Sequence, residues 1–212
     1  MIVILTGAPG AGKGTQANLL TERCGYATLS TGQALRNQVK EGTEIGKIAG
    51  EIMDRGELVP DDVLFKIVKA ELGAPSEKVF LLDGYPRNIT QAETLSGLSD
   101  THPVAVVIEL YVPRDELIKR LSGRRVCSEC GTNYHIDMAP PQKEGVCDKC
   151  NKEVIQRKDD NAESVAVRLD IFDKNTKPIL GFYEQKSLLK RVDGVGSTEE
   201  IFERLKGVIE SI

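Results

Sequence analysis

Residues 7–15 read Gly-Ala-Pro-Gly-Ala-Gly-Lys-Gly-Thr and follow the apolar run Ile2-Val3-Ile4-Leu5. A buried strand, a glycine-rich turn and a lysine that opens a helix together make an anion hole. Glycines at 10, 12 and 14 and Ala11 let backbone N–H groups turn inward, and Lys13 adds a full positive charge. The expected guest is the phosphate chain of a nucleoside triphosphate. The loop departs from G-x-x-x-x-G-K-[ST] at its last place, where Gly14 stands and Thr15 follows. A metal ion travelling with the phosphates is therefore expected to be held more by phosphate and water than by the protein.

A second constellation is Cys127-Ser-Glu-Cys130 and Cys147-Asp-Lys-Cys150, two pairs separated by sixteen residues. Two such knuckles can aim four thiolates at one point, the signature of a tetrahedral zinc site. Four sulfurs close the coordination sphere, so the role would be structural. Two disulfides, free thiols or bound iron use the same residues and remain alternatives. Cys24 lies on the apolar face of the first helical pattern and reads as core.

The elements that must position these groups follow from the apolar pattern. Runs at 2–5, 79–82, 104–110 and 188–192, with a weaker one at 26–29, alternate with helical stretches at 13–24, 61–72, 89–98, 114–122, 161–187 and 198–210. That rhythm predicts βαβ units around a mostly parallel sheet. Asp61 and Thr198 are the expected caps of their helices, and Pro178 is expected to bend the longest one. Residues 30–59 carry helical periodicity without a strand, and residues 123–158 are polar and hold the four paired cysteines. Both read as insertions into the α/β core, which then comprises 1–29, 60–122 and 159–212. No repeat or low-complexity tract interrupts the 212 residues. The net charge of −4 argues against a broad nucleic-acid surface. No run approaches the ~20 apolar residues of a membrane span, and Met1-Ile2-Val3-Ile4-Leu5 lacks the basic residues and cleavage site expected of a signal peptide. The expected location is the cytoplasm.

Further motifs make the pattern specific. Ser30-Thr31-Gly32-Gln33-Ala34-Leu35-Arg36, Gly56-Glu57-Leu58-Val59-Pro60-Asp61 and Asp83-Gly84-Tyr85-Pro86-Arg87, with Gln91 beyond, occur in order. Gly123-Arg124-Arg125 precedes the cysteines, Arg157-Lys158-Asp159-Asp160 follows them, and Arg168 lies on the next helix. The whole chain resembles the adenylate kinase family, in its bacterial long-lid, zinc-containing form. The resemblance implies the P-loop nucleoside monophosphate kinase fold. A helical insertion at 30–59 would bind AMP, and a zinc-bearing lid at 123–158 would cover ATP. It implies reversible, magnesium-dependent transfer of phosphoryl from ATP to AMP, giving two ADP.

Residue by residue, the resemblance implies that Lys13, Arg87, Arg124, Arg157 and Arg168 serve the transfer. Gly10 to Thr15, Arg120, Arg124, Tyr134 and Gly196 would bind ATP. Thr31, Arg36, Glu57, Leu58, Val59, Gly84, Arg87, Gln91, Arg157 and Arg168 would bind AMP. Cys127, Cys130, Cys147 and Cys150 would hold zinc, and Asp83 would reach magnesium through water. Tyr134 with His135 could instead be a lid-strand pair without ligand contact. The acceptor oxygen is already ionised, so no general base is needed, and arginine forks suit the phosphates. Three positions depart from the family pattern. Gln33 replaces an aspartate, Tyr85 a phenylalanine, and Asn88 takes over the cap of its helix. ATP, AMP and ADP are the expected partners of a monomer. The competing readings are a kinase for CMP, UMP or GMP, a GTP-using donor site, a zinc-ribbon nucleic-acid binder, and a P-loop hydrolase.

Overall fold

The computed structural model describes residues 1–73 and 79–212. Strand β1 (Ile2–Thr6) leads to helix α1 (Lys13–Cys24), β2 (Ala27–Ser30), α2 (Thr31–Lys40), α3 (Glu44–Asp54), α4 (Asp61–Leu72), β3 (Phe80–Asp83), α5 (Ile89–Ser96), β4 (Val104–Tyr111) and α6 (Arg114–Gly123). Strands β5 (Arg124–Cys127), β6 (Asn133–His135) and β7 (Val154–Ile155) follow, then α7 (Ala162–Ile171), α8 (Pro178–Gln185), β8 (Leu189–Asp193) and α9 (Thr198–Glu210). Five strands form a parallel sheet in the order β2-β3-β1-β4-β8.

Every residue of β1 is buried, which is why its sequence is a continuous apolar run and not an alternating one. Side chains still alternate. Val3 and Leu5 pack with Leu20 of α1, Leu121 of α6, Leu169 of α7 and Leu205 of α9. Ile2 and Ile4 pack with Leu35, Ala49, Leu64, Leu95 and Ile179 on the opposite face. The sheet thus separates two helical layers, and its carboxyl edge places Thr6, Ser30, Asp83 and Tyr111 along one rim. Ligand crevices of open α/β sheets lie outside that edge.

Several local expectations are corrected. Ser197, not Thr198, caps α9: its hydroxyl accepts from Glu200 N at 3.2 Å, and Glu200 returns a bond to Ser197 N at 2.7 Å. Asp61 is the first residue of α4, after Pro60, and makes no capping bond. Its carboxylate instead receives the side-chain amides of Asn88 and Gln91. Asn88 does cap α5, accepting from Gln91 N at 2.8 Å. The long helical pattern is not one bent helix. A π turn at Phe172–Thr176 ends α7, and Pro178 starts α8, where its missing N–H costs nothing.

The helical insertion is the pair α2–α3, and the cysteine-rich insertion is a small antiparallel sheet in the order β6-β5-β7. Helices α2 and α3 meet at Gly46, where an added Cβ would fall on the backbone of Gln38 and Val39. Gly46→Ala should therefore lower stability by about 1–3 kcal/mol through overpacking, measured by urea unfolding. Gly207, whose Cβ meets nothing, is the control: its replacement by alanine should be neutral or stabilising.

Candidate active site

Between β1 and α1 the chain folds back through Gly7, Gly10 and Gly12, all at positive φ. A Cβ on Gly7 would stand 2.6 Å from the Leu110 carbonyl oxygen, so only glycine lets the loop lie this close to β4. Lys13 curls over its own loop, donating to Gly7 O at 2.6 Å and Ala8 O at 3.1 Å. Its charge is thereby fixed at the mouth of α1. Burial pushes the Lys13 ammonium down to about 8; Asp83 works against this, and Arg87, Arg168 and Arg124 add to it.

Around this loop opens a cleft of about 1150 Å³. It brings together Gly10, Ala11, Gly12, Lys13, Gly14, Thr15, Arg36, Leu58, Asp83, Gly84, Arg87, Arg120, Arg124, Tyr134, Arg157, Arg168 and Gly196, from remote parts of the chain. Thr31, Glu57 and Val59 line a side slot with Leu58, Arg36, Arg87 and Arg168. Seven of these residues are cations. Burial lowers Arg36 to about 10 and Arg157 to about 9, with neighbouring arginines contributing; both remain charged at neutral pH. Burial also lowers Arg87 and Arg168.

Each cation is held by identifiable partners. Arg87 Nε donates to Gly84 O at 2.7 Å, and Arg87 O accepts from Thr176 of the π turn at 2.9 Å. Among the described residues Arg36 has only the long contacts to Gln33 Oε1, at 3.4 Å. Arg120 pairs with Glu116 one turn back at 3.1 Å. Arg157 Nη2 donates to Asn133 Oδ1 of β6 at 3.0 Å, while its Nε is buried with no acceptor among the described residues. An orphaned donor in a cationic wall fits an anionic guest.

The residue missed in the sequence is Asp160. Its carboxylate is fully buried and grips Arg124 through both oxygens; Oδ1 also accepts from Arg168 at 3.1 Å. Asp159 pairs with Arg168 at 2.9 Å. Burial would raise Asp159, yet Arg168, Arg124, Arg157 and Arg36 together hold it below the usual range. The only sequence signal was a pair of acids directly after Arg157-Lys158, indistinguishable from a solvated hinge.

Some expected ligands are already engaged. Gln91 is buried: its Nε2 donates to Asp61 at 2.7 Å and its Oε1 accepts from Arg87 N at 2.7 Å. It lies outside both lining sets and acts here as a brace for Arg87. The Glu57 carboxylate is exposed and pairs with Arg55. Thr31 donates to Gly84 O at 2.9 Å. Asp83 accepts from Ser30 at 2.9 Å, and its Oδ2 lies beside Gly14. Tyr134 touches the cleft, but its hydroxyl donates to Cys147 Sγ and accepts from Asp148 N at 2.8 Å. His135 Nδ1 accepts the N–H groups of Asp137 and Met138, so it organises a turn and is not free to act as a base.

The four paired cysteines converge. All their sulfurs lie within 4.8 Å of one another, with Cys127–Cys150 at 3.4 Å and Cys130–Cys147 at 3.6 Å. None of the five cysteines is in a disulfide. A tetrahedron with metal–sulfur bonds of ~2.3 Å has sulfurs about 3.8 Å apart, so the group can hold a metal ion. Each knuckle closes on a left-handed residue, Gly131 or Asn151, directly after its second cysteine. The Tyr134 hydrogen bond is the main cause that pushes the Cys147 thiol down to about 6.

The cysteine-bearing insertion lies over the cleft. Glu129 pairs with Lys40 of α2 at 2.8 Å, Lys149 with Glu22 of α1, and Gly131 rests against Gln33. No helix among the described residues is long and apolar enough to cross a membrane.

A polyphosphate guest favours the protonated form of Lys13. Its affinity should therefore be flat below pH about 8 and fall as pH rises through that value. Calorimetric titration of ATP without magnesium from about pH 7.5 to 9.5, above the last ionisation of its terminal phosphate, checks this. Lys13→Met should bind more weakly and lose that limb of the profile.

Comparison with known proteins agrees with this geometry. A family model described as Adenylate kinase matches residues 5–188. The adenylate kinase of Methanosarcina acetivorans is 48% identical over 99% of this chain and 98% of its own. Those of Caldanaerobacter subterraneus subsp. tengcongensis (47%, covering 97% of this chain and 95% of its own) and Archaeoglobus fulgidus (44%, covering 100% and 99%) are similar along almost their full lengths. The chain belongs to the adenylate kinase family and is, by that membership, a phosphotransferase of the nucleoside monophosphate kinase class.

Proposed function

We propose that the cleft binds ATP and AMP with their phosphates facing each other, and that the cations named above align and stabilise the phosphoryl group as it passes between them. The carrying observation is the convergence of Lys13, Arg36, Arg87, Arg124, Arg157 and Arg168 on one cleft, with the Arg157 Nε left unpaired inside it. ATP lies along the Gly10–Thr15 loop, with Arg120, Arg124, Tyr134 and Gly196 on the side of its base. AMP lies in the slot of Thr31, Leu58 and Val59, its phosphate between Arg36 and Arg87. Gln91 contributes by bracing Arg87.

The chemistry required of the side chains is modest. The attacking AMP oxygen carries no proton at neutral pH, so nothing must remove one. What must be supplied is positive charge that fits the transition state and exclusion of water. Arginine stays charged when enclosed, and its planar fork fixes direction as well as charge. Asp159 and Asp160 keep Arg124 and Arg168 in place without neutralising the whole cluster. The Asp83 carboxylate, a hard oxygen donor beside Gly14, is the group that would hold the water shell of a magnesium ion brought with ATP, and such an ion would add positive charge at the phosphates.

The ion in the four-cysteine group is zinc, and its role is to stiffen the lid. Nothing about the group offers an open coordination place for chemistry. Residues 30–59 form the AMP-binding insertion, 123–158 the lid, and the remainder the core. A thiolate site of this kind belongs with a reducing compartment, which supports a cytoplasmic location for this monomer.

Formation of ADP, followed by a coupled assay with ATP, AMP and magnesium, tests the reading. Turnover should require AMP, and Arg87→Ala should lower it by about a hundredfold or more with the fold retained. Steady ATP consumption without AMP would identify a hydrolase instead. Elemental analysis should find about one zinc per chain; Cys147→Ser should lose the ion and melt earlier while keeping most low-temperature activity. Metal-free native protein would overturn the zinc assignment.

A further inference from the structure

Arg87 reaches the cleft with no carboxylate bonded to its guanidinium among the described residues, unlike Arg124 and Arg168, which Asp160 grips. Its aim comes from the main chain. The peptide before its Cα is held by Gln91, whose Oε1 accepts from Arg87 N at 2.7 Å. The peptide after its Cα is held by Thr176, whose hydroxyl donates to Arg87 O at 2.9 Å. Between these two anchors, Arg87 Nε donates to Gly84 O at 2.7 Å and folds the side chain onto its own turn. Thr176 is 6% exposed and ends the π turn, which continues the helix that carries Arg168. That turn closes from Lys177 N to Phe172 O at 2.8 Å, and turns of this kind recur at functional sites. Asp61 decides which way Gln91 faces. A carboxylate only accepts, so its contact at 2.7 Å takes the amide nitrogen of Gln91 and leaves Oε1 toward Arg87 N. Asn88 Nδ2 steadies that carboxylate at 3.0 and 3.1 Å.

We propose that Thr176, and Asp61 acting through Gln91, are positioning residues that aim Arg87 at the acceptor phosphate. This rests on the reading of Arg87 as a phosphate-binding cation on the AMP side of the cleft. Restraint applied to the backbone spares the guanidinium charge for phosphate, where a carboxylate on the fork would cancel part of it. It also has to be firm, because a misplacement of ~1 Å in such a site can cost about a hundredfold in rate. The two peptides that flank the Arg87 Cα set the direction in which its side chain leaves the chain. Thr176 and Arg168 lie on one continuous helical segment, so the same hydroxyl also ties Arg87 to the element that carries Arg168.

The test measures turnover of the full-length, metal-loaded enzyme with AMP and ATP varied separately. Thr176→Val keeps the shape of the side chain and removes the donor. It should raise the KM for AMP about tenfold, with the KM for ATP changed less than about twofold, and Thr176→Ser should restore most of the loss. Placed on Arg87→Ala, Thr176→Val should change nothing further, because the side chain that it aims is gone. Asp61→Asn lets the Gln91 amide turn over and should also raise the KM for AMP. Adding Gln91→Glu to Asp61→Asn should recover part of that loss, since the new amide can donate to the new carboxylate. This exchange carries the test if Thr176→Val fails to fold. An equal rise for both nucleotides, no rise, or an effect undiminished on Arg87→Ala overturns the proposal. Arg87→Ala with wild-type turnover would instead overturn the reading of Arg87 itself.

Discussion

Like charges held close together repel, and the site is built on that conflict. At an effective dielectric of 20, two unit charges 6 Å apart oppose each other by about 3 kcal/mol. Seven cations border one cleft here, with Asp83, Asp159 and Asp160 interleaved among them and Glu116 beside Arg120. Burial is the largest cause that lowers Lys13, Arg36, Arg87, Arg157 and Arg168, and neighbouring like charges add to it. Such an arrangement persists because packing elsewhere in the molecule sustains it. Two apolar layers on the parallel sheet fix where the loops emerge, and a fully buried Asp160 clamps Arg124 to Arg168. The excess positive charge that remains is the affinity for phosphate.

As the proposed lid, the cysteine-bearing insertion must satisfy two demands at once. It has to cover the cleft, and it has too few apolar residues to hold a shape by burial. Its own core is Cys127, Cys147 and Tyr134, with Cys150 and Val154 packed against them. A metal held through the four sulfurs would replace the missing hydrophobic core. The resulting small body can then lie across α1 and α2 through single exposed ion pairs, Lys149–Glu22 and Lys40–Glu129. Exposed pairs of this kind are worth little each, which suits contacts that a substrate cycle must make and break.

What could be read in the sequence is what depends on neighbours along the chain. The phosphate loop is a run of nine residues whose backbone does the work, and each cysteine knuckle is four residues long. The strands announced themselves as apolar runs because both faces of the sheet are covered. What could not be read depends on partners distant in sequence. Gln91 is an amide of the right type, but only the fold shows that Asp61 and the Arg87 N–H occupy it. Asp160 belongs to a polar string identical in kind to a solvated surface. The π turn at 172–176 preserves helical periodicity and shifts only the hydrogen bonds, so no residue type betrays it. Ser197 and Thr198 are both good caps, and the choice between them was made by where Glu200 could reach back.

The central claim is that the cations serve two nucleotides as one phosphate-to-phosphate unit. Calorimetric titration with two adenosines joined by five phosphates tests it most directly. The account predicts one molecule bound per chain, more tightly than ATP or AMP alone by about a hundredfold or more, because joining the halves removes the entropy cost of bringing in the second. Binding no tighter than ATP, or two molecules per chain, would contradict it.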